Sequence, residues 1–251
     1  MTGSAYLAYY TVLGSVAMIA AVLLGLRAAL VRARWTAAER GRVLTVAALT
    51  LIVWFAATAL LAWHGAYEGG LGRIPTIQFG ILVPILIGAA LIWRSPPAGR
   101  ILDAVPQQWL VGIQFYRVLG AIFVVLYAAG SLPGAFALPA GLGDLAIGLL
   151  ALIVAWSYAR APSQSAGLVR WWNSFGIGDL VVALATGFMT APSPFQLLAL
   201  DAPNTMIDAF PLVLIPVFVV PLSAILHVAS LTKLHRGTAL APLVSPTAKP
   251  A

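Results

Sequence analysis

The stretch VLTVAALTLIVWFAATALLAW, residues 43–63, lies between Arg42 and His64 and contains no ionisable side chain. A helix rises about 1.5 Å per residue, so this run makes a rod of roughly 30 Å, the thickness of a bilayer's hydrocarbon core. An uncharged apolar rod of that length predicts a membrane-spanning helix, and the same pattern repeats on either side of it. Six further apolar stretches fall at about 5–26, 75–93, 109–130, 138–159, 171–190 and 207–232. The expected fold is all-α: one multi-pass bundle of about seven transmembrane helices over residues 1–236, followed by a disordered tail, 237–251, rich in Pro, Ala and Thr.

Composition points the same way. Of 251 residues 61% are apolar and 8% charged, against about 25% charged in an average soluble domain. That balance excludes a soluble globular protein, and disorder would need the opposite one. The first apolar stretch has no basic segment ahead of it, so Met1 to Leu26 reads as a first span and not as a cleaved signal. The chain has no cysteine, which removes disulfides, iron–sulfur clusters, thiolate zinc and covalently attached haem. It also lacks a phosphate-binding Gly-Lys-Ser/Thr loop and a His-Glu-x-x-His pair. No cofactor, metal site or catalytic set is expected.

Charge sets an expected orientation. Five Arg occupy the segment from Arg27 to Arg42, Arg94 and Arg100 lie in the next alternate junction, Arg160 and Arg170 in the following one, and Lys233, Arg236 and Lys249 in the tail. Twelve of fourteen basic residues thus fall on one side; Arg73 lies on the other and Arg117 within a span. The positive-inside rule then places the N-terminus outside and the C-terminus in the cytoplasm. The net charge of +7 becomes a matter of topology and of attraction to anionic lipid, not of nucleic-acid binding, whose aromatic-plus-basic platform is missing. Arg outnumbers Lys twelve to two, the bias of a GC-rich bacterial genome, so the expected location is a bacterial plasma membrane.

Trp and Tyr prefer the two interfaces. Trp93, Trp109, Trp156, Tyr158, Trp171 and Trp172 fall at expected cytoplasmic ends, and Tyr6, Tyr9, Tyr10, Trp63 and Tyr67 at outer ends. The outer segment from Thr190 to Met206 holds Phe195-Gln-Leu-Leu-Ala-Leu200, which predicts a short interfacial helix. Asp201, Pro203 and Asn204 predict turns, and Asp208 an N-terminal cap for span seven. That span carries Pro211, Pro216 and Pro221, each removing a backbone donor, so it must bend or open.

The residues needing explanation are polar ones inside spans. Arg117 lies eight residues beyond Trp109 and Asp179 eight beyond Trp171, so both sit roughly 12 Å deep from the same face. An ionised Arg near mid-helix costs about 2.5–3.5 kcal/mol, and equal depth makes Arg117–Asp179 the natural ion pair. Ser223, His227 and Ser230 share one face of span seven, Asn173 lies with Asp179, and Gln114 with Arg117. The expected polar cluster is Gln114, Arg117, Asn173, Asp179, Ser223 and His227. His64 falls near the opposite interface, which argues against a haem held between it and His227.

A short pattern occurs twice, as Gly141-Leu-Gly143-Asp144-Leu145 and Gly176-Ile-Gly178-Asp179-Leu180, on helices running in opposite directions. Inverted repeats are common in transporters, and glycines beside an acid also let neighbouring helices approach closely. The Gly-x-Gly-Asp core resembles the motif of the intramembrane aspartyl proteases, the presenilin, signal-peptide-peptidase and prepilin-peptidase group. That resemblance implies that Asp144 and Asp179 share a proton and activate a water. The chain departs from the family pattern: the motif appears twice, and no Pro-Ala-Leu element lies on a later span. A fifth span starting near Ala140 leaves Asp144 about 12 Å above Asp179, whereas a start near Ala135 brings them level.

Three functional classes follow. In the first, the Arg–Asp–His cluster, with Asp144 as a secondary candidate, binds or moves a small polar solute or a proton. In the second, it only holds together a non-catalytic accessory subunit, with a membrane-protein partner or a second copy. The third is the aspartyl protease.

Overall fold

The computed structural model describes residues 2–70 and 76–240, with side chains for 5–70 and 76–237. Among the described residues the elements are helical and no strand forms. Helix α1, Thr2–Arg32, and α2, Ala37–Trp63, form a hairpin. Thr36 turns the chain between them: its Oγ1 accepts from the Glu39 N–H at 3.3 Å while the Glu39 carboxylate accepts from the Thr36 N–H at 3.0 Å. This reciprocal cap satisfies donors that a helix start leaves free. After α3, Ile77–Arg94, comes a short helix the apolar pattern did not predict, α4, Pro96–Ala104. Its signal is local: Ser95 caps the Ala98 N–H and Pro96 stands in the first turn, where a missing N–H costs nothing.

The fourth apolar stretch departs from a simple helix. It is divided into α5, Gln107–Gly112, a 3₁₀ segment, Ile113–Gly120, and α6, Ala121–Ala128. A 3₁₀ helix has three residues per turn, so positions i, i+3 and i+6 align. Here those positions are Gln114, Arg117 and Gly120, and all three are buried. The tighter winding therefore gathers two polar side chains and a glycine on one inward edge.

Helices α7, Gly134–Arg160, and α8, Pro162–Thr190, run antiparallel from a one-residue joint at Ala161. Gly148 lets the 3₁₀ backbone close on α7: a methyl there would stand 2.8 Å from the Val118 nitrogen. Residues 191–213 carry no helix. The short helix expected at Phe195–Leu200 is absent; instead the Leu197 and Leu198 N–H groups both return to the Met189 carbonyl at 2.9 Å, leaving Phe195, Leu197 and Leu200 exposed. Asn204 does make the expected turn, its Oδ1 accepting from the Ile207 N–H at 3.2 Å.

The last helix also begins later than position 207. A π-turn, Ile215–Val219, leads into α9, Val220–Leu240: in a helix begun at 207, Pro211 and Pro216 would fall in the interior, where a missing N–H breaks the ladder, whereas a start at 215 leaves Pro216 in the first turn. Asp208 consequently caps nothing in α9; its Oδ2 accepts from the Gly69 N–H at 2.9 Å, tying two loops together. The helix includes 237–240 of the expected tail, and 241–251, with Lys249, lie outside the described residues, as does Arg73.

Among the described residues six segments are long and apolar enough to cross a membrane: 5–32, 37–63, 77–94, 107–128, 134–160 and 215–237. The expected count was seven. Helix α8 has the length, 29 residues, but carries Asn173, Asp179 and other polar residues that lower its apolar character below that of the six. The basic junctions meet at one end of the bundle. Arg100 lies over the Trp35 ring at 5.9 Å, the Lys233 Nζ donates to the Leu102 carbonyl at 3.0 Å, and Leu234 packs with Val154 and Val169 of the α7–α8 hairpin. At the other end Trp63 meets Phe210 edge-on at 5.2 Å and the Asn204 N–H reaches the Thr190 carbonyl at 2.9 Å. Between the ends the outer surface is apolar, with Leu24, Val53, Phe79, Leu86 and Ile153 exposed.

Candidate functional site

Arg117, held by the 3₁₀ segment and 3% exposed, reaches three helices at once. Its Nε donates to Asp144 Oδ1 of α7 at 2.7 Å, and its Nη2 donates to Asp179 Oδ2 of α8. Its Nη1 donates to the Gly176 carbonyl at 3.2 Å and lies 3.2 Å from His227 Nε2 of α9. One forked face of the guanidinium is thus divided between two carboxylates, where it commonly binds both oxygens of one. Asp144 Oδ2 and Asp179 Oδ1 receive no hydrogen bond among the described residues.

The partners assign the state of His227. Arg117 can only donate, so Nε2 accepts; Nδ1 lies 2.9 Å from Asn173 Oδ1, which can only accept, so Nδ1 carries the proton. His227 is therefore a neutral imidazole, fully buried, with the Trp172 ring 5.1 Å away. Asn173 then donates from Nδ2 to the Val169 carbonyl at 2.8 Å and to Ser230 Oγ at 2.9 Å, and Gln107 Nε2 donates to the same Oγ at 2.7 Å. Counting one guanidinium, two carboxylates and a neutral ring, the buried group has a formal charge of −1 when both acids are ionised. Desolvation makes an uncompensated charge expensive there, so the site favours a proton or another cation.

The expected cluster is brought together with changes. Arg117, Asp179, Asn173 and His227 are joined by direct bonds. Gln114 and Ser223 form a neighbouring group, with Gln114 Nε2 donating to the Ser223 carbonyl at 3.1 Å and the Tyr116 hydroxyl bonded to Ser223 Oγ. Asp144, the secondary candidate, bonds Arg117 as Asp179 does, because α7 begins at Gly134 and so brings it within reach of the same guanidinium. Trp172, expected at an interface, is buried and donates from Nε1 to the Ile147 carbonyl at 3.2 Å. Sequence reasoning did not assign Gln107, Tyr116 or Trp172 to the site; the periodic face of Ser223, His227 and Ser230 was the signal available for Ser230. His64 lies exposed at the end of α2, apart from the cluster.

The repeated glycines now have distinct tasks. A methyl on Gly143 would overlap the Asp179 carboxylate, one on Gly176 the His227 ring, and one on Gly120 the Asp144 carboxylate, while a methyl on Gly178 meets nothing. Three glycines clear space for the charged cluster itself. Asp144 lines two cavities, of about 60 and 50 Å³. Asp179 faces a groove between α7 and α8 lined by Leu150, Trp171 and Phe175. Among the described residues no three His, Asp or Glu side chains are placed to hold a metal.

No curated protein and no solved structure matches the chain. A family model does match, over residues 74–235. The matched region opens just before α3 and closes within α9, so it contains every bonded member of the network from Gln107 to Ser230 and leaves out α1 and α2. On that match over more than half its length, the chain belongs to the family described as Domain of unknown function (DUF8737).

Proposed function

We propose that the protein is a multi-pass plasma-membrane protein whose Arg117–Asp144–Asp179–His227 cluster binds or translocates a small polar solute or a proton. The observation that carries this is the pair of half-buried carboxylates sharing one guanidinium, each with an oxygen left unbonded among the described residues. Intramembrane ionisable groups in such arrangements mark solute or proton paths. The six apolar helices support the membrane reading, α8 serves as the seventh span with its polar residues turned to the cluster, and the clustering of basic junctions at one end supports a cytoplasmic C-terminus. The excess of Arg over Lys supports a bacterial source.

The test is flux in proteoliposomes. Asp144→Asn, Asp179→Asn and Arg117→Ala are expected to abolish proton or solute flux in protein that still inserts; unchanged flux in all three overturns the proposal. One observation favours the accessory-subunit reading instead: the guanidinium's partners come from α7, α8 and α9 together, as a clamp's would. A stoichiometric partner on mild detergent purification, with no flux, would support it. For the aspartyl-protease reading the geometry is unfavourable, since Arg117 divides two carboxylates that a catalytic dyad needs free to share a proton.

A further inference from the structure

We infer that the species taken up by the cluster is a small cation, a proton or an ion of ammonium size, and that it reaches Asp144 past Asp208 from the end bearing residues 64–70 and 191–213. This rests on reading the cluster as a binding site. The cavity of about 60 Å³ is lined by two carboxylates, Asp144 in mid-α7 and Asp208 in the loop before the π-turn, and by Phe123, Phe136, Leu180 and Phe188. A water-sized position takes about 10–15 Å³ of such space, so the cavity holds roughly four to six waters. That admits an ion of a few heavy atoms and excludes a sugar or a peptide. Two carboxylates along one apolar channel attract cations and repel anions.

Asp208 is suited to a station on this route. It is 9% exposed, fixed by the Gly69 N–H, and paired with no Lys or Arg among the described residues. The other ionisable groups on the route are Glu68 beside Asp208, and Arg117, Asp179, Tyr10 and Tyr116 around Asp144. From Asp144 the second cavity continues to Tyr10, Ser15, Tyr116 and Ser223. Toward the basic end the network offers only Asn173, Ser230 and Gln107, uncharged and bonded to one another. The cavity thus joins Asp208 to Asp144, while Asp179 meets the separate apolar groove between α7 and α8.

The test uses the full chain in liposomes of phosphatidylethanolamine and phosphatidylglycerol, with two probes: protons, read by trapped pyranine under a potassium diffusion potential, and labelled methylammonium. Asp144→Asn removes the site, Asp208→Asn the station, and Ala183→Phe or the milder Ala191→Leu fills the cavity. Variants are compared where they insert and stay folded well above the assay temperature. Flux of one probe is expected to fall about tenfold or more in Asp144→Asn and in Asp208→Asn, and likewise in at least one plugged variant. Labelling by dicyclohexylcarbodiimide, an apolar reagent for protonated carboxyls, is expected at Asp144 in wild type and to be lost in the plugged variant. If Asp144→Asn stops flux while Asp208→Asn and both plugs pass it like wild type, the route is overturned and the binding site stands. If Asp144→Asn passes the probe unchanged, the site reading itself falls. Wild type that carries neither probe overturns the assignment to small cations.

Discussion

Arg117 answers to two acids, and that ratio gives its variants unequal costs. Replacing it by Gln leaves two half-buried carboxylates without a counter-ion, and breaking a fully buried pair costs about 3–5 kcal/mol, an upper bound here. Either Asp144→Asn or Asp179→Asn alone leaves Arg117 one carboxylate and should cost less, so thermal melting in one detergent should rank Arg117→Gln below both single Asn variants. An Asn variant as damaging as Arg117→Gln would show that the acids do not share the charge. The glycines provide a sharper pair. Gly176→Ala presses a methyl into the His227 ring and should cost about 1–3 kcal/mol, whereas Gly178→Ala meets nothing and should gain up to about 1 kcal/mol from helix propensity. Equal melting of the two would contradict the packing described. Much of this site was legible in the sequence: equal counts from Trp109 and Trp171 paired Arg117 with Asp179, and helical spacing put His227 on the face that meets Asn173. Asp144 was harder, because nothing charged lies between Val118 and Gly143 to fix where its helix starts.

At the scale of elements, legibility followed the strength of local chemistry. Ser95-Pro96 and Thr36…Glu39 are capping signals readable without a structure, yet an apolar-window reading passes over α4 because nine residues cannot span anything. The 3₁₀ segment carries no such mark; its period of three shows only once Gln114, Arg117 and Gly120 are seen on one edge. The prolines of the last span announced an interruption but not its extent, and the start moved from 207 to 215. Asp208, freed from capping, tests this region. Burial raises its carboxyl above the ordinary value of 3.8, partly offset by the Gly69 N–H. A raised acid binds its proton more tightly when folded, so it favours the fold at low pH and loses that contribution as pH rises from about the ordinary value through the raised one. Wild type should therefore fall in melting temperature relative to Asp208→Asn as pH climbs through that window. A difference independent of pH would place the carboxylate in water.

For the whole molecule, the absence of cysteine is an experimental asset, since any introduced thiol is the only one. Glu68→Cys should react with a membrane-impermeant maleimide on intact cells, and Arg100→Cys only after the membrane is opened; the reverse pattern would invert the orientation. The all-helical class was readable at a glance because 8% charge leaves few alternatives, but the count was not, since α8, which carries Asn173 and Asp179, is the helix whose polarity blurs the apolar signal. The α7–α8 hairpin has one more consequence. Asp144 lies seventeen residues before Ala161 and Asp179 eighteen after it, so the two arms act as the legs of a calliper whose tips close on one guanidinium. A single residue inserted in either leg between joint and acid would turn that tip by about 100° and shift it by about 1.5 Å. Homologous chains can then lengthen the loops at the far end freely, while insertions and deletions between Asp144 and Asp179 should be purged.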